Sequence, residues 1–359
     1  MAVMPNMCAP DPTLEAVDSA IQTRGNAEQA RPYLGMSSIG RECSRALWYD
    51  FRWASRSSWP ADALKRFEDG HIGEDLQAKR LQMLPSITLY VIDHRTGKQF
   101  GHVDHGGHFR GHMDGVILGL IQAPKTWHVW EHKQTDPKKQ ASLLKLKQDR
   151  GEKAALQEWD AVYFGQAQLY MGYAKLDRHY LTCATPGGRH TISVRTNFDP
   201  NIFEALKAKA LRIITAQTPP ERMSERPDWY QCKWCSHHAI CHEQAIPQVT
   251  CRTCAHATPE LDGDGRWSCA AFGCDLDVQV QRESSGCPNH IFIPDLLPWK
   301  AVNSGQTGAE AWVEYDKDGT SIINGAQGWL SREIAANVAM IGDPEAAAFR
   351  ARFQAELIG

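Results

Sequence analysis

Residues 111–135, GHMDGVILGLIQAPKTWHVWEHKQT, put Asp114 at the head of one apolar run and Glu131, His132 and Lys133 at the end of the next. Ionisable groups among so many β-forming residues are costly unless they are paired or hold an ion. Successive side chains of a strand alternate faces, so Glu131 and Lys133 point one way and His132 the other. A hairpin folding back through 119–125 can bring the Asp114 carboxylate beside Glu131. Two carboxylates and a backbone carbonyl suit Mg²⁺ or Mn²⁺, which prefer hard oxygen ligands and keep waters for a substrate phosphate. Lys133 would then orient or deprotonate the attacking water and neutralise charge as a phosphodiester is cleaved. An isolated Glu-x-Lys is equally at home as surface charge on an exposed hairpin, so the neighbours decide its meaning.

Asp114 and Glu131-His132-Lys133 resemble motifs II and III of the PD-(D/E)XK nucleases, in particular the RecB-type and phage exonuclease branches. Two further matches follow the same order. FEDGHIGED places Gly70 and Glu74 on a helix before the sheet, where the resemblance implies that Glu74 adds a metal ligand; His71 would be a substrate contact at best. GQAQLYMGY sets Gln166 and Tyr170 at i, i+4, on one helix face, and is similar to the Q-x-x-x-Y signature that in RecB-type nucleases sits beside metal and DNA. An amphipathic core helix would carry the same pair. The resemblance covers about residues 35–245.

The cysteines form two clusters. Cys232, Cys235 and Cys241 make a C-x₂-C-x₅-C, which supplies three thiolates and wants a fourth; Cys43, some 190 residues earlier, is the candidate. One upstream cysteine with this triplet resembles the iron–sulfur branch of the family, found in AddB-like helicase-nucleases and CRISPR-adaptation nucleases. It implies a [4Fe–4S] cluster that staples the chain shut without doing the cutting. Zinc on the same thiolates, with His237, His238 or His242 in place of Cys43, is the alternative. Cys251 and Cys254 form a C-x₂-C knuckle, and with Cys269 and Cys287 they make a zinc-ribbon arrangement in which Cys274 or His290 could replace one ligand. Unligated thiols remain an alternative there. Cys8 and Cys183 lack partners at ligand spacing, and the histidines at 102, 105, 108 and 112 are expected at a solvent-facing strand end.

The elements that must position these groups follow from periodicity and turn chemistry. A helix is expected from Ser37 or Ser38 with Ile39, Cys43, Leu47 and Tyr49 near one side, and a second from Ala61 to Pro85. Strands are expected at 87–93, 108–120 and 126–133. A basic stretch, including Lys138, Lys139, Lys145, Lys147, Arg150 and Lys153, reads as a flap that could track a phosphate backbone or as a solvated loop. A helix over 155–176, a hairpin around TPGGR and a helix over 199–217 complete the pattern, with Trp127 and Trp130 expected to pack rather than stack on bases. This order predicts an α/β fold, a restriction-endonuclease-like central mixed β-sheet flanked by helices, followed by a cysteine-rich zinc-ribbon-like module. The expected divisions are an arm (1–30), a nuclease core closed by the iron–sulfur cluster (31–245), the zinc-ribbon-like module (246–298) and a Gly/Ala-rich tail (299–359) with a last helix near 343–357.

The 359 residues, 42% hydrophobic and 23% charged, are enough for a sizeable core. The net charge of −3 neither favours nor excludes nucleic acid, because a nuclease needs only a locally basic channel. Nine of the eleven cysteines lie after residue 180, a distribution that fits bound metal in a reducing compartment better than secreted disulfides. No run approaches the roughly 18 apolar residues of a membrane span, and the start lacks a signal peptide; a cytoplasmic location is expected. The reading is a Mg²⁺- or Mn²⁺-dependent DNA exonuclease of phage or prophage recombination, which the resemblance implies leaves a 5′-phosphate. With no G-x-x-x-x-G-K-[ST] for unwinding, a single-strand annealing or single-strand-binding protein is the expected partner. A structure-selective endonuclease and a non-catalytic nucleic-acid-binding protein are the rival readings.

Overall fold

The computed structural model describes residues 11–56, 58–307 and 310–358; Cys8 lies outside them. From the N-terminus come α1 (Pro12–Ala27), β1 (Leu34–Gly35), α2 (Ser44–Arg52), α3 (Ala61–Leu81), β2 (Thr88–Tyr90), β3 (Gly101–Asp104), β4 (Phe109–His112), β5 (Gly115–Leu118) and β6 (His128–Gln134). Then follow α4 (Pro137–Arg150), α5 (Ala155–Trp159), α6 (Ala161–Ala174), β7 (Arg178–Ala184), β8 (Thr191–Asn197), α7 (Pro200–Thr215), α8 (Tyr230–Lys233) and α9 (His238–His242). The rest is β9 (Ala257–Pro259), β10 (Trp267–Cys269), β11 (Cys274–Leu276), α10 (Val278–Glu283), β12 (Lys300–Thr307), β13 (Glu310–Lys317), β14 (Thr320–Gly325), α11 (Ser331–Ala336) and α12 (Pro344–Phe353). Two compact units divide the chain: Met1–Ala30, Ser57–Gly101 and His112–Asp199 make one, and Arg31–Arg56, His102–Gly111 and Pro200–Gly359 the other. No described helix is long and apolar enough to cross a membrane.

The first unit is built on a mixed five-stranded sheet in the order β2-β5-β6-β7-β8. β6 and β7 run parallel, and the other neighbours are antiparallel. A parallel pair needs a long crossover, and α4, α5 and α6 supply it. α3 covers the face of β6 that bears Trp130 and Gln134; Ala78, Leu81, Leu89, Ile117, Trp130 and Tyr180 pack into one cluster there. The helix comes so close that a Cβ on Gly73 would meet the Gln134 side chain at 1.9 Å. α6 covers the opposite face, which bears Glu131 and Lys133. Covered on both sides, β6 is buried from His128 to His132.

Several expectations change here. The expected strand 108–120 is two strands in different sheets, because the chain breaks at Met113-Asp114: β4 pairs with β1 in parallel, and β5 pairs with β2 and β6. The basic stretch is neither flap nor loop. Asp136 caps α4 by accepting from the Lys138 and Lys139 N–H groups, Pro137 opens its first turn, and Gly151 ends it at φ 85°. The helix expected from Ser37 begins only at Ser44, with Cys43 as its N-cap. Most of the polar arm is α1, sixteen residues laid on α3 through the Gly25–Leu64 contact and the Asp18–Lys65 ion pair. Trp130 is fully buried and Trp127 stacks on Tyr90, so both pack as expected.

The second unit holds three small sheets, β1-β4-β3, β9-β10-β11 and β12-β13-β14. The Gly/Ala-rich tail is an antiparallel meander with its own core, in which Val313, Tyr315, Ile322, Trp329, Ile334 and Ile341 pack with Ile291 and Phe292. His108 also departs from expectation. It is fully buried, and its Nε2–H donates to the carbonyls of Glu260 (2.9 Å) and Arg266 (3.1 Å).

Candidate metal centre

Pairing of β5 with β6 puts Gly115 opposite Trp130, so Asp114 comes to the edge of Glu131. The Asp114 N–H donates to Glu131 Oε1 at 3.3 Å, and Asp114 Oδ2 accepts from the His132 N–H at 2.8 Å. Lys133 Nζ donates to Glu131 Oε2 at 2.8 Å, and Gln166 Nε2 donates to the same oxygen at 3.1 Å. Asp114, Glu131, Gln166 and Tyr170 are all buried. Tyr170 bonds Gln166 and feels the Glu131 charge, so the expected face of α6 does meet the strand. Glu74 on α3 is half-buried and within electrostatic reach of Asp114 and Lys133. The six residues singled out in sequence therefore lie together in one unit.

Their electrostatics are unbalanced. Burial and then the Asp114 charge push Glu131 up to about 8 and Glu74 up to about 7, and burial raises Asp114 as well. Burial works against the Lys133 ammonium, but Glu131 and Asp114 outweigh it and hold it charged. One ammonium thus faces three carboxylates in a poorly solvated place. This donor set, oxygen-rich and short of positive charge, fits a hard divalent cation held by Glu74, Asp114 and Glu131. Among the described residues no three His, Cys, Asp or Glu side chains converge on one point as they stand, so ligation would require side chains to turn.

Sequence reasoning missed Tyr163. Its ring carries Lys133 Nζ 5.5 Å from the centroid and Lys139 Nζ at 4.8 Å, while Lys139 also bonds Asp160 Oδ2 at 2.7 Å. The signal was present, because Tyr163, Gln166 and Tyr170 fall at i, i+3, i+7 on one helix face. The glycine that matters also differs. Gly70 stands in open space, whereas Gly73 allows α3 to approach β6.

All the cysteines at ligand spacing lie in the second unit. In the second unit Cys43 and Cys241 both lie within electrostatic reach of Cys232 and Cys235. Cys43 Sγ accepts from the Ala46 N–H at 3.4 Å at the N-terminus of α2, Arg222 bonds Cys241, and the Cys43 charge supports Lys209. Four thiols ringed by a helix N-terminus and two cations fit an anionic tetrathiolate group. Cys254 lies near Cys251 and Cys269, and Cys287 lies near Arg332. Cys183 is buried, and the ten described cysteines form no disulfide.

No protein-family model matches the chain, and no curated protein matches it. Solved structures that it resembles include "SSO0001", at 14% identity over 64% of this chain and 96% of that one, with a TM-score of 0.38. An alkaline exonuclease (LHK-Exo) from Laribacter hongkongensis matches at 11% identity over 55% of this chain and 90% of that one, with a TM-score of 0.35. The same exonuclease in complex with dAMP matches at 11% identity over the same shares, with a TM-score of 0.34. Likenesses this distant carry no argument, and the functional reading rests on the geometry.

Proposed function

We propose that this chain is a metal-dependent deoxyribonuclease, and more narrowly a DNA exonuclease of phage or prophage recombination. The observation that carries the reading is the placement of Asp114, Glu131 and Lys133 side by side on paired strands with Glu74 within electrostatic reach, as the PD-(D/E)XK resemblance implies. Glu74, Asp114 and Glu131 would hold Mg²⁺ or Mn²⁺, which supplies Lewis-acid stabilisation of the phosphoryl oxygens. Lys133, charged and aimed along Glu131, would orient the attacking water and offset charge on the phosphate. Gln166 fixes the Glu131 carboxylate, and Tyr170 fixes Gln166. Cys43, Cys232, Cys235 and Cys241 are proposed to hold a [4Fe–4S] cluster that ties α2 to the α8–α9 segment, in a reducing cytoplasm where the thiols stay unpaired. A single-strand annealing or single-strand-binding protein is the proposed partner.

The test is cleavage of end-labelled linear DNA and closed circular single-stranded DNA with Mg²⁺ or Mn²⁺. Degradation of linear DNA alone, abolished by Asp114→Ala and reduced at least ~10²-fold by Lys133→Ala, is the expected result. Cleavage of the circle would turn the reading to a structure-selective endonuclease. DNA binding with no metal-dependent cleavage of any substrate would leave a non-catalytic binding protein.

A further inference from the structure

The second cysteine cluster carries an argument that spacing alone does not. Arg52 and Arg252 are both fully buried. Arg52 donates to the carbonyls of Arg252 (3.3 Å), Ala257 (3.1 Å) and Ala216 (3.2 Å). Arg252 donates to Gln281 Oε1 (2.8 Å) and to the carbonyls of Phe51 and Pro32 (2.9 Å each). Both guanidiniums lie over the Trp267 ring, at 5.0 and 4.7 Å from its centroid. Every one of these partners is neutral. Among the described residues neither arginine has a carboxylate, although a buried cation without an anion costs several kcal/mol.

The ionisable groups beside them that can supply negative charge are thiols. Cys254 is the group whose charge favours Arg52, and Cys251 the one whose charge favours Arg252. Arg252 is itself inside the turn Cys251-Arg252-Thr253-Cys254, and Arg52 bonds the carbonyl of that turn. Four thiolates around a divalent ion carry a charge of −2, which two guanidiniums cancel.

We propose that Cys251, Cys254, Cys269 and Cys287 bind a structural zinc ion whose net negative charge is balanced by the buried pair Arg52 and Arg252. Cys269 ends β10, two residues after the Trp267 on which both guanidiniums rest. Cys287 lies three residues before His290, and ligation would require the cysteine side chains to turn inward, since among the described residues no three of them converge as they stand. His290 Nε2 donates to the Thr250 carbonyl at 2.9 Å, and the Ala255 N–H donates to the Ile291 carbonyl at 2.8 Å, so this segment runs beside the knuckle. Cys274 stands opposite Cys269 in the β10–β11 hairpin but is exposed, and serves as the control. The ion fixes the knuckle, and the arginines carry that fixation to α2 and the β9 strand. This site is independent of the nuclease reading.

The experiment is to count zinc and iron by elemental analysis in the full-length chain and its variants. Cys251→Ala with Cys254→Ala should remove about one zinc per chain, and Cys274→Ser should remove none. After stripping and Co²⁺ loading, Cys269→His should keep the ion with an altered thiolate-to-metal absorption band, whereas Cys269→Ala should lose both, which separates ligation from misfolding. Arg52→Gln and Arg252→Gln keep a donor but lose the charge, and should each weaken zinc binding at least tenfold in competition with a chromophoric chelator. Unchanged zinc in the Cys251/Cys254 double variant, iron in place of zinc at this cluster, or arginine variants that bind zinc as tightly as the wild type would overturn the proposal.

Discussion

Asp114 and Glu131 hold one another across two antiparallel strands: the Asp114 N–H donates to Glu131 Oε1 at 3.3 Å, and Asp114 Oδ2 accepts from the N–H of the residue after Glu131 at 2.8 Å. These two hydrogen bonds from backbone N–H groups keep the two carboxylates side by side. The repulsion this creates is offset by Lys133 and, for Asp114, by His71, and a bound cation would relieve it further. Asp114→Asn should therefore stabilise the metal-free chain, raising its Tm by about 2–4 °C, while abolishing cleavage. Mg²⁺ should raise the Tm of the wild type and leave the variant unmoved. Thermal melts with and without Mg²⁺ check both signs.

Removing the cation has the opposite effect. Lys133→Met leaves the buried Glu131 carboxylate without its ammonium, at a cost of about 3 kcal/mol. Denaturant unfolding without metal should show that loss, and Glu131→Gln in the same chain should recover part of it.

The Tyr163 N–H donates to the Asp160 carboxylate at 3.0 Å, and its ring faces both Lys133 and Lys139. A cation–π contact of about 0.5–2 kcal/mol corresponds to roughly three- to thirtyfold in rate if it holds Lys133 in its working position. Tyr163→Leu should lower kcat by that factor with KM little changed, and Tyr163→Phe, which keeps the ring, should stay near wild type. Equal loss in both variants would remove the ring from the argument.

Gly115 follows Asp114 directly, and a Cβ there would meet the Tyr90 carbonyl oxygen of the neighbouring strand at 2.5 Å. Backbone cannot swing aside as a side chain can. Gly115→Ala should cost about 1–3 kcal/mol and reduce cleavage, because β5 must shift at the point where Asp114 is set. Gly70→Ala, in open space inside α3, should leave cleavage unchanged and stabilise the chain by about 0.5–1 kcal/mol; unfolding curves and rates of the two variants make the comparison.

His108 sets an acid limit in the second unit. Burial lowers its pKa to about 4, with Nε2–H committed to two carbonyls. The unfolded chain takes up a proton near pH 6.5 and the folded one only near 4, so stability is present in full above about 6.5 and falls as pH drops toward 4. The loss is on the order of 3 kcal/mol. His108→Gln should make this dependence shallower in unfolding measurements between pH 7 and 4, with the buried His132, His179 and His290 supplying the remainder.

The sequence by itself determined the chemistry-bearing set of the first unit, because period two on one strand and period 3.6 on one helix are local rules. Glu131 and Lys133 share a strand face, and Gln166 and Tyr170 share a helix face, whatever lies around them. It also held a signal that was misread: Thr135-Asp136-Pro137 is an N-cap followed by proline at the first turn, and it starts α4 where a flap was expected. Tertiary structure alone decided the rest. The split of 108–120 into two sheets, the meander in the last sixty residues and the burial of His108 depend on partners distant in sequence. The pairing of Arg52 with a cysteine turn two hundred residues later depends on them too. Such pairings are set by which surfaces bury one another, and no local period records them.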